Sequence, residues 1–102
     1  MPTDKFQIRL LKIAEEDFTE IVSFIADENP TAAEAIASKI EKNLELLSEN
    51  PKLGRIPRDE EIRNLGYRYI IVQNYIIFYT IEERTIFIHR ILHRARNYKS
   101  LL

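Results

Sequence analysis

The sequence predicts an α+β fold, with an N-terminal strand, an antiparallel two-helix hairpin, a three-stranded antiparallel meander and a short C-terminal segment in one domain over residues 1–102. Three observations carry that expectation. Apolar residues recur at helical spacing in two consecutive stretches, Phe18 to Ile25 and Ala33 to Leu47, with almost no linker between them. Three β-branched and aromatic runs then follow, separated by connections too short for anything but hairpins. The middle run, Tyr75 to Ile81, is apolar on both alternating faces.

The elements follow in chain order. Phe6-Gln-Ile-Arg-Leu-Leu11 alternates apolar and polar side chains before its closing leucine pair, as a strand with one buried face does. From about Ala14 a helix places Phe18, Ile21, Val22 and Ile25 on one stripe, and Glu15, Glu16 and Asp17 stand early in it, where acids complement the helix dipole. Asn29-Pro30 ends this helix, and Pro30 or Thr31 opens the next, which carries Ala33, Ile36, Ala37, Ile40, Leu44 and Leu47 inward. Asn50-Pro51 closes it. Two helices joined this tightly pack antiparallel.

Lys52 to Leu65 has no sustained period and holds Gly54 and Pro57 among charges, so it reads as a surface loop. The strands Tyr67–Gln73, Tyr75–Ile81 and Thr85–His93 then form the meander through an Asn74-centred turn and through Glu82-Glu83-Arg84. Tyr75, Ile77, Tyr79 and Ile81 share one face of the middle strand; Ile76, Phe78 and Thr80 share the other. Each face therefore needs a cover, the helical hairpin on one side and the loop, the C-terminal segment or a partner on the other. The first strand is expected at the edge or in the middle of the meander.

Composition narrows the function classes. At 102 residues the chain buries about two thirds of the surface its unfolded form exposes, and 45% hydrophobic with 30% charged residues is the balance of a globular protein. No cysteine is present, which excludes disulfides and thiolate metal sites. Two histidines without carboxylates at ligand spacing make no metal cage, two isolated glycines make no phosphate cradle, and so no metal and no cofactor is expected. No apolar run reaches the length of a membrane span and the start lacks a leader pattern, so a cytoplasmic protein is expected.

Charge divides the chain. Residues 1–51 carry eleven acidic and five basic side chains, residues 52–102 five and ten, which nearly cancels to the net −1. Eight of the ten cations in the second half are arginines, whose planar fork suits carboxylate or phosphate. Either an anionic partner meets this half, or its charges neutralise the acidic half internally.

The order of five short motifs resembles the RelE/ParE toxin superfamily of bacterial toxin–antitoxin modules. They are Ala14-Glu-Glu-Asp-Phe18, Asn29-Pro-Thr-Ala-Ala33, Leu47-Ser-Glu-Asn-Pro-Lys-Leu-Gly-Arg55, Asn74-Tyr-Ile-Ile-Phe-Tyr79 and Arg90-Ile-Leu-His-Arg-Ala-Arg-Asn-Tyr98. The resemblance implies a small toxin held inactive by a cognate antitoxin in a hetero-oligomer. The Leu53-Gly54-Arg55 loop and the terminal Arg-Ile-Leu-His-Arg pattern are similar to ParE-like members, which inhibit DNA gyrase by binding. RelE-like members instead cut messenger RNA on the ribosome, and for that chemistry the chain offers His93, Tyr98, Arg68 and Arg94, with Arg96 a further cation, as acid, base and charge-neutralising groups. Such nucleases usually carry an arginine after the middle-strand tyrosine. Here Ile76 follows Tyr75, which favours the ParE-like reading. A third reading is a binding module with no toxicity of its own.

The residues expected to meet a target are Arg90, His93, Arg94, Arg96 and Tyr98, and those expected to meet an antitoxin are Phe24, Leu46 and Tyr75. Phe24 and Leu46 lie off their helices' apolar stripes, so they either fill the seam between the helices or stand exposed. Arg90 alternates with Ile88 and Leu92 and therefore snorkels or pairs with an acid. His89, sharing a face with Phe87 and Ile91, is expected to pack; His93 either caps the sheet or acts on a partner.

Overall fold

A computed structural model describes residues 5–102; the first four, part of the stretch read for a leader, lie outside the described residues. The elements are β1 (Gln7–Leu10), α1 (Lys12–Ala26), α2 (Pro30–Glu49), α3 (Glu60–Asn64), β2 (Arg68–Val72), β3 (Tyr75–Glu82) and β4 (Thr85–His93), with 3₁₀ turns at Pro51–Leu53 and Tyr98–Leu101. This is the expected α+β order. The sheet runs β1-β4-β3-β2, so β1 lies at an edge, parallel to β4, and the other pairs are antiparallel.

Local chemistry explains the boundaries. Helix α1 starts at Lys12, two residues before the expected Ala14, because the carbonyl of Leu11 accepts the N–H of both Ala14 and Glu15. With that start Asp17 falls outside the first turn, and it is buried instead of complementing the dipole. The Asn29 side chain caps α2 by accepting the Ala32 N–H at 3.1 Å, and Pro30 sits where a missing donor costs nothing. The stretch read as loop contains α3, whose N-cap Asp59 accepts the Ile62 N–H at 3.1 Å. One and a half turns are too few for periodicity to register; burial of Ile62 holds the helix in place.

Two apolar layers result. On the helical side Ile36, Ile40 and Leu47 of α2 pack against Ile77, Tyr79, Ile86, Ile88 and Ile91 of the sheet, with Ala14, Phe18, Ile21 and Ile25 of α1 closing the seam. On the other side Ile76, Phe78 and Leu92 are covered by Ile62 of α3 and by Tyr98, Leu101 and Leu102. Loop and C-terminal segment thus share the second face. Each fully buried Ile, Leu or Phe contributes about 1.5–3 kcal/mol.

A bulge between Phe78 and Tyr79 corrects the alternation expected in β4. Tyr79 pairs with Ile88 and Phe78 with Arg90, leaving His89 as the extra residue. His89 therefore parts from Ile91, which turns to the helical core, and contacts the Thr80 hydroxyl at 2.8 Å and the Tyr67 hydroxyl at 3.4 Å. Gln73, not Asn74, takes the left-handed backbone at the first hairpin tip, with φ of 56°.

Candidate functional site

The Leu53-Gly54-Arg55 loop is built around Tyr79. Its hydroxyl donates to the Pro51 carbonyl at 2.8 Å and accepts the Gly54 N–H at 2.8 Å, while Arg68 Nη1 donates to the Gly54 carbonyl at 3.1 Å. A Cβ on Gly54 would meet the Tyr79 hydroxyl and would lie 2.7 Å from Tyr79 Cε1 and 2.8 Å from the Tyr69 carbonyl, so no larger residue fits without displacement. Burial pushes the Tyr79 phenol up despite the Gly54 bond and nearby Arg68. This motif anchors the loop to the sheet; Arg68 is part of that anchor.

Arg90 is held by α1. Its Nε and Nη2 reach the two oxygens of Asp17 at 2.8 and 2.9 Å, and the same carboxylate accepts the Ile91 N–H at 3.0 Å. Side-chain exposures of 12% for Arg90 and 8% for Asp17 leave neither group to reach a macromolecule. The Asp17 bond holds the Arg90 guanidinium even more firmly protonated than usual, with burial opposing it and Glu20 assisting. The expectation that Arg90 contacts a target gives way to the buried ion pair. Asp17 is the residue that sequence reasoning missed in its role, although its signal was present: it stands three residues after Ala14 and four before Ile21, an acid on the apolar stripe.

Beside this pair lies a cleft of about 440 Å³ between α1 and the C-terminal end of β4. Ile21 and Phe24 come from α1, Tyr75 from the start of β3, His93 from the end of β4 and Arg96 from the segment beyond it. Phe24 is 79% exposed, which decides the alternative between seam and surface. Tyr75 and His93 meet edge to face at 5.6 Å, and His93 Nδ1 accepts the Ala95 N–H at 3.1 Å, so the imidazole also caps the turn after β4. A wider groove of about 760 Å³ along Lys12, Glu15, Glu16 and Glu20 is the outer surface of one helix and gathers no convergent groups.

Three expected residues therefore come together, Phe24, Tyr75 and His93, with Arg96 on the rim. Arg94 is exposed nearby; its N–H bonds the Asn74 carbonyl and its guanidinium reaches Gln73 O at 3.4 Å. Leu46, 43% exposed on α2, is not among the residues that line this cleft. Tyr98 lies on the other sheet face, its ring 5.0 Å from Phe78. Arg68 pairs with Tyr79 while His93 pairs with Tyr75, four residues apart along β3, or ~13 Å at the rise of a strand. The group named for RNA cleavage is thus divided between two sheet faces and two ends of the sheet. Among the described residues no cluster of three or more His, Asp or Glu could hold a metal, and no helix is long and apolar enough to cross a membrane.

Comparison with known proteins agrees with this architecture. No curated protein matches the chain. Its fold is similar to a solved chain of the chromosomal ParDE toxin–antitoxin system from P. aeruginosa, with a TM-score of 0.72 and 17% identity over 88% of this chain and 97% of that one. It is also similar to a chain of the toxin–antitoxin complex RelBE2 from Mycobacterium tuberculosis, with a TM-score of 0.61 and 24% identity over 90% of this chain and 94% of the other. At these identities the likeness is one of fold. The sequence itself matches, over residues 8–98, the family model described as the ParE toxin of the type II toxin–antitoxin system parDE, and the chain belongs to that family.

Proposed function

We propose that this toxin acts in the cytoplasm by binding DNA gyrase, breaking no bond itself, and that a cognate antitoxin neutralises it by covering the cleft at Phe24 and Tyr75. The observation that carries the reading is an exposed aromatic cleft with the exposed cation Arg96 on its rim and exposed Arg94 nearby, at a place where no acid, base and phosphate clamp converge. Ile76 supports it further: the side chain after Tyr75 is buried under α3 and the C-terminal turn, where an arginine at a nuclease site would face substrate. An exposed aromatic beside arginines is a usual anchor for a protein partner. The solved relatives are toxin–antitoxin assemblies, which supports the antitoxin as partner.

A supercoiling assay with purified protein tests the gyrase reading. Inhibition at stoichiometric toxin is expected, and its absence removes gyrase as target. Primer extension on messenger RNA after induction is expected to show no ribosome-dependent cuts; their presence would reinstate the nuclease alternative.

A further inference from the structure

Tyr98, on the sheet face away from the helical hairpin, closes a second cavity of about 140 Å³ between the C-terminal turn, α3 and the sheet. Phe78, 1% exposed, is its innermost ring. Tyr69 and Tyr98 flank that ring, each tilted 48° to it, with centroids 6.0 and 5.0 Å away. Pro57 and Ile62, both buried, complete the apolar wall. An apolar cavity of about 150 Å³ accepts one benzene molecule, so this volume matches a single six-membered aromatic ring. The walls are also fixed in place. Lys99, next to Tyr98, pairs with Asp59 at 3.1 Å and Glu61 at 3.8 Å, and Arg90 Nη1 donates to the Leu101 carbonyl at 3.2 Å, which pins the turn that carries Tyr98.

The polar groups of the lining residues are unevenly satisfied. Asp59 Oδ1 accepts the Ile62 N–H at 3.1 Å and Oδ2 meets Lys99 Nζ, so this carboxylate is occupied and its charge offset. Arg58 is exposed; its carbonyl accepts from Arg63, but among the described residues its guanidinium has no ion pair and no hydrogen bond. The Tyr69 and Tyr98 hydroxyls likewise have no protein partner among the described residues, and both rings are half-buried. An aromatic wall beside two unmet hydroxyls and one uncompensated cation selects a ring that bears an anionic acceptor, and Arg58 opposes a cationic ring.

We infer that this cavity binds a small aromatic carboxylate. The ring enters between Tyr69 and Tyr98 toward Phe78, and the carboxylate accepts bonds from Arg58 and from the phenol hydroxyls. The inference does not rest on the gyrase reading, because none of the residues lining this cavity lines the cleft at Phe24.

Titration of the isotope-labelled full chain by nuclear magnetic resonance tests it, with benzoate as the ligand and acetate and benzylamine as controls. Benzoate is expected to shift the amides of Ile62, Phe78 and Tyr98 saturably, with a dissociation constant on the order of a millimolar or tighter. Acetate lacks the ring and benzylamine carries the opposite charge, so each is expected to bind at least about tenfold more weakly. Arg58→Ala is expected to weaken benzoate about tenfold and Tyr98→Phe about threefold or more. Both variants are expected to keep the parent's melting temperature, since Arg58 is exposed and phenylalanine retains the ring. No saturable shift at tens of millimolar benzoate, shifts centred on Phe24 instead, equal binding of benzylamine, or undiminished binding by either variant would each overturn the inference.

Discussion

Asp17 stands in for a missing strand beside Ile91. Strand β1 stops at Leu10, opposite Ile88, so β4 runs on past its neighbour, and the Asp17 carboxylate takes the Ile91 N–H that a longer β1 would have bonded. Arg90 neutralises the carboxylate in that position and passes a further bond, Nη1 to Leu101 O at 3.2 Å, to the C-terminal turn. One ion pair thereby ties α1, the sheet and the chain's last turn together.

Removing one partner leaves the other charged and buried. Asp17→Ala is expected to destabilise by about 3–5 kcal/mol, a large share of a typical domain's stability, and Asp17→Asn less, because it can still accept the Ile91 N–H. Urea denaturation followed by circular dichroism measures both; a loss under about 1 kcal/mol for Asp17→Ala would show that the pair contributes little.

Gly54 and Tyr79 act as a unit. Gly54→Ala is expected to cost about 1–3 kcal/mol through forced displacement of the phenol, and Tyr79→Phe about 1–3 kcal/mol through the unpaired Gly54 N–H and Pro51 carbonyl. The double variant is expected to lose less than the sum of the two single losses, since a ring displaced by the new methyl has already given up the hydroxyl bonds to the Gly54 N–H and the Pro51 carbonyl. Strict additivity in a thermal-melt cycle would refute the coupling.

His89 makes stability depend on pH. Burial pushes its imidazole below the ordinary value, partly offset by Glu82. The unfolded chain, with a histidine near ~6.5, therefore binds a proton before the folded one does. The contribution is complete above the unfolded value and is lost as pH falls through the folded one. Melting temperature is expected to drop from pH 7 to pH 5, and His89→Gln is expected to flatten that slope. An unchanged slope in the variant would assign the acid loss to other groups.

Function is separable from stability at the cleft. Arg94→Ala and Arg96→Ala are expected to lower toxicity on induction with melting temperatures close to the parent, because exposed charges contribute little to folding. Phe24→Glu is expected to reduce co-purification with the antitoxin and likewise to spare the fold, since most of the ring is in water. A large fall in melting temperature for any of the three would make that residue structural.

The sequence by itself determined the order of elements, the two apolar sheet faces, the helical hairpin and the Leu-Gly-Arg loop, because periods of two and 3.6 and the punctuation at Asn29-Pro30 and Asn50-Pro51 are properties of neighbouring residues. It also marked Phe24, Tyr75 and His93 individually. Tertiary structure alone decided that β1 joins the edge of β4, that the bulge at His89 shifts the alternation beyond it, and that Arg90 turns inward to Asp17, 73 positions away. It likewise brought Phe24 to Tyr75 and His93, and sent Arg68 and Tyr98 elsewhere. The physical reason is the range of the interactions: local pattern sets what each segment is, whereas burial of both sheet faces and the unmet bond on β4 select which distant segments meet.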